Sequence, residues 1–167
     1  MNKKYLNNTL KEKYNKDFNN NVINCEHKFW KLDDGLKDVL VNINKNEHIQ
    51  TLYSKRPNFN KTLIHNHSYL IFAFTKSVEN LILNNFLIKY YKESEFNDNE
   101  HDCPHLLNPK FTNSNSKNKK IKLDCLNNKT YFNINHLIVN YINNYEEKHE
   151  KFWKFLNDSL SEVKPSR

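Results

Sequence analysis

Residues 63–91 form the most apolar stretch of the chain, and whatever they become must lie at the centre of the fold. Leu63, His67, Leu70, Phe74, Val78 and Leu81 recur every three or four residues, while Phe72, Leu83, Phe86, Leu87 and Tyr90 add a second apolar side. That spacing predicts a helix apolar on two sides, as the central member of a bundle is. A helix spanning all of it would exceed the usual length of roughly 8–20 residues, so a break is expected near 65–68 or at Asn84-Asn85.

Other helical patterns flank this segment. Over residues 26–45, Phe29, Leu32, Leu36, Val39, Leu40 and Ile43 make one apolar face, opposite Lys31, Asp34, Lys37 and Asp38. From near Asn135 to Ser161, Ile138, Tyr141, Tyr145, His149, Phe152, Trp153, Leu156 and Leu160 hold the same period. Leu6, Leu10, Tyr14 and Phe18 stand four apart in a polar lead, residues 1–21, which reads as weakly helical or disordered. Between 121 and 134 the period falls to two: Ile121, Leu123 and Cys125 alternate with Lys122 and Asp124, and Thr130-Tyr131-Phe132 follows the turn-forming Asn127-Asn128. The expected fold is therefore mainly α. Its parts are a three- or four-helix bundle with a small β-hairpin at about 121–134, a single domain over 22–163, and a disordered loop at about 97–120.

Composition narrows function chiefly by exclusion. Gly35 is the one glycine, so no glycine-rich phosphate loop, dinucleotide fingerprint or Gly-x-Ser-x-Gly elbow can be present. No His-Glu-x-x-His occurs, and the paired carboxylates Asp33-Asp34 and Glu146-Glu147 are adjacent residues that diverge on a helix. No catalytic residue is assigned, and the expectation is a protein that is not an enzyme and carries no cofactor.

Five of the seven net positive charges arise within residues 110–122, which hold no acid. Lys117, Lys119, Lys120 and Lys122 there form a basic cluster suited to a polyanion or to a nuclear-import receptor. Arg56 and Arg167 are the only arginines beside 24 lysines, which favours non-specific phosphate contact over the bidentate reading of base edges.

Two further constellations involve side-chain chemistry. Cys25-Glu26-His27 and Cys103-Pro104-His105 each place a thiol two residues before an imidazole, a ligand pair that zinc accepts, although the spacing is not that of a zinc finger. No metal is assigned. Phe29-Trp30 and Phe152-Trp153-Phe155 put aromatics on neighbouring helical faces beside lysines, so Trp30, Trp153 and Phe155 are the candidate partner-binding residues.

An odd set of three cysteines, a polar N-terminus and no window of 18 apolar residues point to a soluble cytoplasmic or nuclear protein that does not enter a membrane. The function expected from these features is an adaptor or assembly subunit that binds a protein partner through helix faces. The alternative is a nucleic-acid-associated protein whose lysine-rich segments contact phosphate.

Overall fold

The computed structural model describes residues 5–20, 36–57, 67–86, 89, 121–123, 130–132, 134, 136–142 and 145–165. In chain order the elements are α1 (Asn8–Phe18), α2 (Leu36–Asn44), β1 (Ile49–Lys55) and β2 (His67–Phe74). A helical segment over 76–86 follows, then β3 (Ile121–Leu123), β4 (Thr130–Phe132), β5 (His136–Ile142) and α3 (Glu146–Ser161).

The centre of the molecule is a sheet, and this corrects the mainly α bundle expected from the sequence. β1, β2 and β5 form an antiparallel sheet with β2 in the middle; Ile49 pairs with Phe74 on one side of it and His67 with Ile142 on the other. The segment expected to be the central helix thus contains the central strand. A strand buried on both faces shows an unbroken apolar run, and over so few residues such a run looks the same as a buried helix. The second correction has the same cause: the last helix begins at Glu146, and the residues expected to open it, 136–142, are β5. β1 falls in a stretch to which the sequence pattern assigned no element, and β3 and β4 pair antiparallel from Ile121↔Phe132 to Leu123↔Thr130.

Alternation along β2 divides its side chains between two cores. Leu70, Phe72 and Phe74 join the larger cluster with Leu36, Leu40 and Ile43 of α2, Val139 and Tyr141 of β5, and Phe152, Leu156 and Leu160 of α3. Ala73 faces the other way, into a smaller cluster with Leu6, Tyr14, Leu52 and Ile134. A register shift between Thr51 and Tyr53 marks a bulge in β1, and Ile49 and Leu52, on either side of Thr51, serve different clusters.

Several asparagines join these parts. Asn7 caps α1 by accepting from Leu10 N at 2.9 Å. Asn44, at the end of α2, accepts from Thr51 N at 2.8 Å and donates to Thr51 Oγ1 at 2.7 Å. Asn46 donates to both Leu160 O and Val163 O at 2.8 Å, satisfying carbonyls that the end of α3 leaves open. Among the described residues no helix is long and apolar enough to cross a membrane.

Candidate functional site

The helical segment that follows β2 does not keep α geometry. Thr75 N bonds to His48 O at 3.0 Å, the chain turns through a 3-10 turn at Lys76–Val78, and it then widens to π geometry over Leu81–Phe86. π segments are rare and occur often at functional sites. Val78, Ile82 and Phe86 point inward, and Phe86 meets Phe72 edge-on at 5.9 Å and stacks on Phe155 of α3 at 5.7 Å. These rings fix the distance between the π segment and α3, leaving a groove between them.

The groove holds roughly 290 Å³. Its apolar surface comes from Leu81, Phe86 and Val163, and Ser159 lies in the wall. The Ser159 hydroxyl is buried and has no hydrogen-bond partner among the described residues. Such a group costs about 1–3 kcal/mol wherever water or a ligand does not reach it. Charged groups stand around it. Lys89 and Lys164 are exposed, and Lys89 Nζ lies 5.8 Å from the centre of the Phe155 ring. Asp158 is bound to Lys154 at 2.6 Å, an i,i+4 contact that holds the Lys154 ammonium above the usual lysine range. Glu162 is the other acid at the rim among the described residues.

The structure distributes the residues singled out from the sequence unevenly. Phe155 is half-buried and closes the inner end of the ring stack beside Lys89. Trp153 is 4% exposed and packs edge-on against Phe152 at 5.4 Å. Trp30, Lys117, Lys119 and Lys120 lie outside the described residues, as do Cys25, His27, Cys103 and His105; of Lys122 only its place in β3 is described. Among the described residues no three histidines, cysteines or acids converge as a metal site.

Two arrangements with no signature in the sequence resemble catalytic pairs. Ser68 Oγ of β2 lies 2.7 Å from Nδ1 of His149 and accepts from Trp153 Nε1 at 3.1 Å. An indole N–H only donates, so Ser68 Oγ accepts from Trp153 while sharing a hydrogen bond with His149 Nδ1. Ser68 and His149 are both fully buried, so no substrate reaches the hydroxyl, and the pair acts as a polar clip between β2 and α3. At the surface, His48 Nδ1 lies 2.9 Å from Thr75 Oγ1 and 3.4 Å from Ser77 Oγ, with Glu47 3.4 Å from Nε2. Glu47 is 77% exposed and offers none of the rigid orientation that a buried acid gives a catalytic imidazole.

The groove residues missed in the sequence are Leu81, Ser159 and Val163. Leu81 was legible only as part of an apolar face; neither π widening nor an unpaired serine leaves a mark in a single sequence. Comparison with known protein families, curated proteins and solved structures finds no match for this chain.

Proposed function

We propose that this chain is a non-enzymatic adaptor or assembly subunit, cytoplasmic or nuclear, that binds a protein partner in the groove between the π segment and α3. One observation carries the reading: Leu81 and Val163, half-buried over the buried Phe86, give the groove an apolar lining beside the Ser159 hydroxyl, which has no partner among the described residues. Small-molecule sites typically converge several polar groups on an enclosed volume of about 300–1,000 Å³. At roughly 290 Å³ this groove falls just below that range and is not enclosed, which suits one inserted side chain better than a metabolite. The odd cysteine count supports the reducing compartment.

The test is co-purification of a partner from the native cell with the wild type and with Leu81→Asp and Val163→Asp, using Leu83→Asp as control because Leu83 is exposed and does not line the groove. Burying one large aliphatic side chain contributes about 1.5–3 kcal/mol, so each groove variant should weaken the partner by roughly ten- to a hundredfold. Retention of the partner by both groove variants, with amide exchange showing β2 still folded, ends the proposal.

A further inference from the structure

We infer that Lys11, Asn44 and Gln50 form a guard along the outer edge of β1, which keeps that edge from pairing with β1 of a second copy of this chain.

β1 stands at one side of the three-stranded sheet, with β2 on its inner side. In an antiparallel pair, alternate residues turn both backbone groups towards the partner strand, and the residues between them turn both away. Ile49 and Thr51, two apart, are turned away, and all four of their backbone groups bond outside the sheet. Ile49 N donates to Asn46 O in the preceding turn at 3.2 Å, and Ile49 O accepts from Lys11 Nζ at 2.5 Å. Thr51 N donates to Asn44 Oδ1 at 2.8 Å, and Thr51 O accepts from Gln50 Nε2 at 3.1 Å. Three side chains and one turn carbonyl thus stand where the backbone of a further strand would bond.

The guard is also tied together internally. Lys11 Nζ reaches Gln50 Oε1 at 3.0 Å and Asn44 O at 2.8 Å, and Asn44 Nδ2 donates to Thr51 Oγ1 at 2.7 Å. Asn44 and Gln50 are both buried, where an amide costs free energy unless it is bonded and an apolar side chain would pack without that cost. What the amides supply and an apolar residue does not is closure of the Thr51 groups. A strand edge with open N–H and C=O groups is a template for another chain, and charge and bulges are common protections against it. This edge has both, the Lys11 ammonium at Ile49 and the bulge between Thr51 and Tyr53. Lys11 belongs to α1, so the guard is complete only while the N-terminal arm is docked.

The double variant Lys11→Met/Asn44→Ala of the full chain opens Ile49 O and Thr51 N. A lost hydrogen bond is worth about 0.5–1.5 kcal/mol, and a symmetric pair of edges reopens several of them, so the variant should self-associate in sedimentation at a concentration roughly tenfold or more below the wild type. Amide exchange at Thr51 locates the contact: fast in the dilute variant, and slowed as concentration rises and a second β1 takes the place of Asn44. Ser68→Ala serves as the control, because it removes the clip between β2 and α3 and leaves the β1 edge intact. It should associate no more than the wild type. If the double variant loses amide protection in β2, Lys11→Met and Asn44→Ala are read singly by the same criteria. A folded variant that associates no more than the wild type overturns the inference. So does equal association by Ser68→Ala, which would trace the effect to lost stability, or association that leaves Thr51 exchanging fast, which would place the contact on another surface.

Discussion

Lys11 sends its ammonium group from α1 to Asn44 O at 2.8 Å, Ile49 O at 2.5 Å and Gln50 Oε1 at 3.0 Å. The three oxygens are neutral, so burial dominates and pushes the lysine from its ordinary 10.5 down to about 8. The unfolded chain therefore binds more protons than the folded one between about pH 8 and 10.5, and this residue adds stability as pH rises through that window. Below pH 8 both states are protonated and the contribution is flat. Tyr5 runs the other way. Burial, with Glu79 accepting from its hydroxyl, raises it to about 12, so its contribution is lost as pH climbs from 10 towards 12. Subtracting the denaturation midpoints of Lys11→Met from those of the wild type cancels the titrations they share. The difference should rise in favour of the wild type from pH 8 to 10; a flat or falling difference refutes the assignment. Ser68→Ala strips both Trp153 Nε1 and His149 Nδ1 of the partner found here, and should cost about 2–4 kcal/mol in urea denaturation. A cost below about 0.5 kcal/mol would show that the clip contributes nothing. In the sequence neither residue stood apart from other lysines and serines, because their roles depend on neighbours 33 to 85 positions away.

At the scale of elements, what was legible depended on the period of the apolar residues. In α3, His149, Phe152, Trp153, Leu156 and Leu160 follow helical spacing and all are buried. In β2 the informative pair was Leu70 and Phe74, four residues apart, a spacing that both a strand and a helix place on one face. Ile71 and Ala73 occupy the opposite face of the strand and erase the alternation that would have separated the two readings. β5 hid in the same way, since Ile138 fills the gap between Leu137 and Val139, and Ile142 directly follows Tyr141. The end of α3 depends on a residue far from it in sequence. Asn46 supplies two hydrogen bonds to carbonyls there, so Asn46→Ala should cost about 1–2 kcal/mol. Amide exchange should accelerate in the last turn of α3 while β2 stays protected. Unchanged protection at both places would show that water replaces the asparagine without loss.

For the molecule as a whole, the question is how much of the chain the fold requires. The two apolar clusters lie on opposite faces of one sheet, and the N-terminal arm contributes to both: Leu6 and Tyr14 to the smaller, Phe18 to the larger. The arm is also joined to the sheet through its backbone, with Leu6 N donating to Phe74 O at 3.1 Å beside a parallel bridge to Thr75. Its polar composition gave no measure of this, because three buried residues among asparagines and lysines make a weak pattern even when each is nearly inaccessible. Burying side chains of this size contributes about 1.5–3 kcal/mol each. Three of them bring the arm to roughly 5–9 kcal/mol, comparable with the entire stability of an ordinary domain, about 5–15 kcal/mol. A chain lacking residues 1–20 should therefore lose its cooperative thermal transition and expose Leu52 and Ala73 to an apolar dye. If the shorter chain kept a sharp transition within a few degrees of the full-length midpoint, the arm would be a dispensable covering and the sheet with its two later helices would be the folding unit.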